Sequence, residues 1–327
     1  MPFTPCHLAP PPSSTHNILP PRFQRPLAYL CLALSMTLVG IYVALSKPLV
    51  AAIPVFLLAW MRFGIAAVAM ALWIKKPKSE PPLDRRTHIL LFLESFLGNF
   101  LFSICMLFGV SMTSAVSAGV ILAGIPAVSA LMSGIFLKER LGPRIWLAVV
   151  CGALGIVMLS LAKPASGETL SALDAERELW GNLLVFGSVV CEAAYIVIGK
   201  RLTADISPKR IAATINLYGF ALMTPAGLYL ALRFDFGAVE ASSWGLLVFY
   251  ALAASVGTVW LWMTGLKTVP AGQAGVFSVM LPLTAAAIGA FFFQEPFSAL
   301  QAGAFAVALL GLLLATVPGR QRSHPAA

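Results

Sequence analysis

Charge is what this chain has least of. Of its 327 residues, 11% are charged and 59% are hydrophobic, whereas soluble domains carry roughly 25% charged residues. Water is therefore excluded as the solvent for most of the chain, and no length is left over for a soluble catalytic domain. Histidine is scarce too: His7, His16, His88 and His324 all lie outside the membrane core that the apolar runs define. No HExxH, GxSxG or paired aspartates occur within those runs, so neither a zinc box nor a nucleophile with its base is present for intramembrane chemistry. The chain is not expected to be an enzyme. The absence of GxxxxGK[ST] excludes a primary nucleotide-driven pump within it, and no repeated polar or charged ring speaks for a passive channel. Cys6, Cys31, Cys105, Cys151 and Cys191 show no CxxC spacing, and four of them sit in apolar runs. They read as small apolar helix residues, so no disulfide framework, metal or cofactor is expected.

What the chain has is apolar length. A spanning helix needs about 20 apolar residues, and ten such runs occur, at 27–46, 53–74, 89–109, 114–136, 145–162, 181–200, 211–231, 243–264, 270–292 and 297–317. The fold expected is an all-α polytopic membrane protein, its partner the lipid bilayer. The segment 1–26 holds eight prolines and reads as a disordered cytoplasmic tail. It is not a signal peptide, because Lys47-Pro48 rather than a small-residue cleavage site follows the first apolar run.

The net charge of +9 would favour nucleic acid in a soluble protein, but here the basic loops orient the chain. With the N-terminus inside and ten crossings, 17 of the 22 Lys and Arg fall on inner segments: the two tails, 75–88, 137–144, 200–210 and Lys267. The outer loops keep Lys47, Lys163, Arg177 and Arg233. This asymmetry follows the positive-inside rule and puts both termini in the cytoplasm. The longest outer loop, 163–180, is net acidic and reads as a linker between two halves.

Those halves are copies. Segment 114–160 aligns without a gap on 270–316, so that Pro126 falls on Pro282, Phe136 on Phe292, Glu139 on Glu295 and Gly155 on Gly311. Tyr42-Val-Ala-Leu-Ser-Lys47 near the end of span 1 matches Tyr195-Ile-Val-Ile-Gly-Lys200 near the end of span 6. The unit is thus five helices, 27–162 and 181–317. Five is odd, so the second copy lies upside down relative to the first. Two such folds can exchange conformations and turn a cavity from one side of the membrane to the other, which is what a carrier requires.

Two five-helix repeats, a mid-helix proline, Leu137-Lys-Glu139-Arg-Leu141 with Phe293-Gln-Glu295-Pro-Phe297 in the second copy, and Trp60-Met-Arg62-Phe-Gly64 in span 2 resemble the EamA-type, ten-helix branch of the drug/metabolite transporter superfamily. The resemblance covers about 27–317. It implies an inner-membrane carrier, often an exporter of amino acids or other small metabolites. The second copy lacks the arginine after its glutamate, and span 7 reads Asn216-Leu-Tyr-Gly219 where span 2 has Met61-Arg-Phe-Gly64. Superfamily members differ in cargo, so multidrug and nucleotide-sugar carriers stay open, as does a non-transporting scaffold. One chain holds a complete path, which makes a monomer sufficient and a homodimer admissible.

Ionisable residues inside the spans are few, and each costs roughly 2.5–3.5 kcal/mol on insertion scales. Glu192, mid-span 6, is either a structural hydrogen bond or ion pair, or a group that binds protons or cations. Arg62, mid-span 2, either holds a substrate carboxylate, pairs with Glu94 or Glu192, or snorkels. Glu94, near the cytoplasmic end of span 3, reads as structural, reaching water or Arg85 and Arg86. Asn99, deeper in the same span, is a cavity candidate. Glu139 and its basic neighbours are expected to pin the turn between spans 4 and 5. Pro126 and Pro282 are expected to kink their helices and free the carbonyls of Leu122 and Ser278 at the transport path. Tyr42, Tyr195, Trp60, Trp260 and Trp262 are candidate cavity walls, with an interfacial belt as the alternative for all but Trp60. Asn216 marks where the repeats diverge. Arg62 and Glu192 have no counterparts, at Leu217 and near Val39, so symmetry fails where chemistry is expected.

Overall fold

The computed structural model describes residues 21–45, 49, 52–77, 80, 82–112, 121–122, 124–139, 141–161, 172–281, 283–284, 287 and 299–316. All regular structure among them is helical. Each expected span has a counterpart. We label them α1 (Pro21–Leu45), α2 (Val55–Ala69), α3 (85–112), α4 (Ile125–Phe136), α5 (Pro143–Leu161), α6 (Ala172–Leu202), α7 (Pro208–Ala231), α8 (Ala241–Thr268), α9 (Ala271–Ala274, tightening into Gly275–Val279) and α10 (Ala299–Thr316). Five of these helices have the length and hydropathy to cross a bilayer by themselves, and four shorter apolar ones accompany them.

Two helices reach beyond the apolar runs read from the sequence. Helix α1 begins at Pro21, inside the segment read as tail; a proline in the first turn gives up an N–H that has no helical partner there. Helix α6 begins at Ala172, which draws much of the 163–180 linker into the helix.

The packing pairs the two copies. Helix α1 lies against α8 and α6 against α3, so the first helix of each repeat meets the third of the other. Helix α2 packs on α7, α4 on α9 and α5 on α10. Exchanging the repeats maps this pattern onto itself. The crossings use matched small residues: a Cβ on Gly265 would come within 2.5 Å of Leu32, and one on Gly109 within 2.8 Å of Val185. Gly109 and Gly265 are repeat partners, and so are Leu32 and Val185. Gly155 on Ala308 and Gly311 on Ala148 and Cys151 do the same for α5 and α10. Small residues at these points let backbones approach in a solvent that offers helices no hydrophobic incentive to associate.

The symmetry extends to a detail that no composition reports. Helix α3 passes through a π-helical turn at Phe96–Leu101, and α8 through another at Leu252–Gly257. The two turns stand 156 residues apart, in register with the repeat. A π turn widens the helix and frees backbone carbonyls, and such turns recur at functional sites. In α8 the freed carbonyls are held from outside: Asn216 Nδ2 donates to the Ser255 oxygen at 3.0 Å, and Ser35 Oγ to the Thr258 oxygen at 2.9 Å. In α3 the Asn99 carbonyl accepts from Ser103 of its own helix at 2.5 Å. Met61 stands where Asn216 has its repeat counterpart, and it has no donor to offer.

The basic ends of the helices are sealed by buried side chains and by cross-repeat hydrogen bonds. The largest cluster of buried side chains runs from Ala28 and Leu32 through Met70, Leu91 and Ile196 to Leu202, Ile211 and Leu266. Two carboxylates from loops of the first repeat bind backbone amides at helix starts of the second. Glu80 accepts from Ser207 N and from Arg210, both at 2.9 Å. Glu139 accepts from Ala271 N at 3.0 Å and Gly272 N at 3.2 Å, and from Ser133 Oγ at 2.8 Å. The turn that aims Glu139 passes through Lys138 at φ 55°, the left-handed conformation common after a helix C-terminus. Glu139 thus does more than pin its own turn: it joins α4 to α9. Lys200 adds a third tie, donating to the Leu266 carbonyl at the end of α8 at 2.7 Å.

Candidate transport site

At the junction of the repeats, α1, α2, α6 and α8 bring together Tyr42, Arg62, Glu192 and Tyr250. The Tyr42 and Tyr250 rings meet edge to face at 5.4 Å between centroids. The Arg62 guanidinium carbon lies 4.4 Å from the Phe63 ring centre and 5.8 Å from that of Tyr250. Arg62, Glu192 and Tyr250 are all within electrostatic range of Tyr42. Tyr42, Arg62, Glu192 and Asn99 are each partly exposed despite lying mid-helix, so this centre is not packed solid.

Arg62 makes no ion pair with Glu94 or Glu192, and its Nε is buried without a hydrogen-bond partner among the described residues. Of the readings open for it, the structural ion pair is ruled out. The ring faces of Phe63 and Tyr250 stabilise the cation in part, by about 0.5–2 kcal/mol per well-placed contact, and leave its planar fork of donors free for an anion.

Glu94 behaves differently from expectation. It reaches neither water nor Arg85 and Arg86: the residue is 0% exposed, and neither carboxylate oxygen has a partner. It faces α6 at Gly199 and lies within electrostatic range of Glu192 and Tyr195. Tyr195 packs on Gly98 in the α3 π turn, where a Cβ would come within 2.3 Å of its ring.

Three other sequence candidates are packing residues. Trp60 stacks on Phe220 at 5.7 Å, donates Nε1 to Thr224 Oγ1 at 3.1 Å and covers Gly227; it locks α2 to α7 rather than walling a cavity. Asn216, 2% exposed, is spent on the α8 π turn. Pro126 does not kink a continuous helix. It sits in the first turn of α4 behind Gly124, where a missing N–H costs nothing. Pro282 and Glu295 lie outside the described residues. Trp262 is buried, and Trp260 leans on Trp73.

Tyr250 escaped the sequence reading, although a signal was available: it stands 156 residues after Glu94, at the same place in the second repeat. One repeat thus sets a carboxylate, and the other a phenol, at equivalent points beside the repeat-matched Tyr195 and Tyr42.

Apolar helices arranged as two inverted repeats, with a charged and aromatic cluster at their junction, define a multi-pass membrane transporter. The chain belongs to the EamA-like transporter family, whose profile matches residues 26–161 and 179–317. It is similar to the uncharacterized transporter YetK of Bacillus subtilis, with 30% identity over 302 residues, 92% of this chain and 90% of that one. An uncharacterized transporter of Archaeoglobus fulgidus is 23% identical over 288 residues, 88% of this chain and 97% of the other. One solved crystal structure, 20% identical, superposes with a TM-score of 0.72 over 92% of this chain and 100% of that one, and so shares the fold.

Proposed function

We propose that this protein is a secondary exporter of small metabolites that carry a carboxylate, amino acids among them, working by alternating access and coupled to protons. The observation that carries the reading is the unpaired Arg62 at the junction of the repeats, ringed by Tyr42, Tyr250 and Glu192. A guanidinium in the membrane interior is costly, and a substrate carboxylate offsets that cost by accepting two parallel hydrogen bonds. Glu192, on α6, supplies the opposite charge for an ammonium group or for a proton. The basic loops support a plasma-membrane orientation with both termini in the cytoplasm.

The test is efflux from proteoliposomes loaded with an amino-acid mixture, with and without an imposed pH gradient. Wild type is expected to release a subset of the amino acids faster when the gradient is present. Arg62→Gln should abolish that release, and Arg62→Lys should lose most of it, because an ammonium cannot replace the bidentate fork. Efflux of amino acids unaffected by Arg62→Gln would refute the reading. Efflux of aromatic cations but not amino acids would move the protein to the multidrug class.

A further inference from the structure

We propose that Glu94 is a proton-binding site: in the conformation seen here it holds a proton in an apolar slot closed between α3, α6 and α8, while the partly exposed Glu192 exchanges with water at the junction of the repeats. The proposal rests on the proton-coupled reading above and assigns the proton to a residue that reading does not use.

The slot is defined by close contacts. A Cβ on Gly199 would lie 2.7 Å from Glu94 Oε1, 3.1 Å from the Met263 methyl and 3.2 Å from a Leu266 methyl. Glycine at 199 is therefore what leaves room for the carboxylate between the two helices. The group is 0% exposed, and both its oxygens lack a partner.

An isolated ionised carboxylate in such a place pays a large desolvation cost, and one proton removes most of it. Among the described residues no neighbouring cation does so instead. On α6, the groups facing Glu94 are Glu192 and Tyr195, an acid and a phenol. Lys200 of the same helix is turned to the Leu266 and Lys267 carbonyls. On α8, Met263 and Leu266 present carbon. On α7, Arg210 is paired with Glu80, and Tyr218 meets His88 at 3.3 Å. Arg62 lies against Phe63 and Tyr250.

The same inventory selects a proton over a metal ion. Hard cations take several oxygen ligands, whereas the slot walls are the Gly199 backbone, a thioether methyl and a leucine. No group of three His, Cys, Asp or Glu that could hold a metal occurs among the described residues. A proton needs one oxygen.

The arrangement ties proton occupancy to conformation. Gly199 and Glu192 share α6, so a displacement of α6 from α3 opens the slot to water and moves Glu192 in one step. An ionised Glu94 opposes closure, and a protonated one permits it. The α3 π turn at Phe96–Leu101 follows Glu94 by two residues; α3 is tied to α7 at its start, where Ser95 Oγ donates to the Ile215 carbonyl at 2.7 Å.

Infrared spectroscopy of the full chain in lipid nanodiscs tests this. Near neutral pH, wild type is expected to show a protonated-carboxyl C=O stretch that resists rapid deuterium exchange. The band should vanish in Glu94→Gln and survive in Glu192→Gln. Superimposable wild-type and Glu94→Gln spectra would overturn the proposal, as would loss of the band only in Glu192→Gln. If Glu94→Gln does not fold, Gly199→Ala serves instead: its methyl presses on the carboxylate and must shift the band, and an unmoved band overturns the proposal. An intact band with no gradient-driven efflux refutes the coupled-transport reading alone; gradient-driven efflux without the band refutes this one alone.

Discussion

Replacing Glu139 by alanine is the sharpest perturbation of the basic-end seal. Three donors converge on that carboxylate: Ser133 Oγ at 2.8 Å, Ala271 N at 3.0 Å and Gly272 N at 3.2 Å. Hydrogen bonds to a charged group contribute roughly 1.5–3 kcal/mol each. The site is part-buried, so water partly replaces what is lost, and the low end of that range applies. Two backbone bonds then sum to about 3 kcal/mol. The serine adds little, since a hydroxyl can rotate to another acceptor. At 1.4 kcal/mol per factor of ten, about 3 kcal/mol is on the order of a hundredfold. Hydrogen–deuterium exchange in nanodiscs reads this directly: the amides of Ala271 and Gly272 should exchange on the order of a hundredfold faster in Glu139→Ala. Glu139→Gln, which keeps one acceptor oxygen, should fall between the two. Amides in the middle of α7, which do not touch Glu139, serve as the internal control and should not change. If Ala271 and Gly272 exchange at the wild-type rate in Glu139→Ala, the carboxylate does not hold α9, and the seal argument fails.

The Glu80 link carries a pH signature. Burial alone would raise its carboxyl, but hydrogen bonds from Ser207 and Arg210 outweigh this and hold it below the usual carboxylate range. A group depressed in the folded state stabilises above its unfolded value, and the contribution is lost as pH falls through the folded value. Wild type should therefore lose more thermal stability than Glu80→Gln between pH values just above and well below the ordinary carboxylate range; parallel curves would refute the link. For Asn216→Leu, which keeps the branched heavy-atom skeleton but strips the Ser255 carbonyl of its partner, a loss of about 0.6–2 kcal/mol is expected from the range measured for interhelical hydrogen bonds in membranes. Thermal unfolding in detergent measures it, and an unchanged midpoint would show that the α8 π turn has no need of Asn216.

Much of the architecture was legible beforehand because it rests on properties that each residue carries alone. Apolar runs located the helices. A gapless offset between 114–160 and 270–316 revealed the duplication, and the odd number of helices per copy required the inversion. The site was legible only in part. Arg62 and Glu192 stood out because charge in an apolar run is rare, and both lie at the centre. Trp60 and Asn216 carry the same kind of signal, yet their donors are consumed by Thr224 and Ser255 of other helices. The place of Glu94 near the end of span 3 says how deep it lies, not which helix closes over it.

Sequence by itself determined that this chain lives in lipid, that it is two inverted copies of one five-helix unit, and which few charges it commits to the membrane. Those are sums over local composition, and the bilayer enforces them on each segment separately. Only the tertiary structure decided which charges remain without a partner. That Arg62 stands unpaired, that Gly199 shuts Glu94 into a dry slot, and that Glu139 grips amides 132 and 133 residues away are results of helix crossing geometry. A partner's identity depends on which faces meet, and a shift of one helical position replaces a glycine by a side chain that would close the slot.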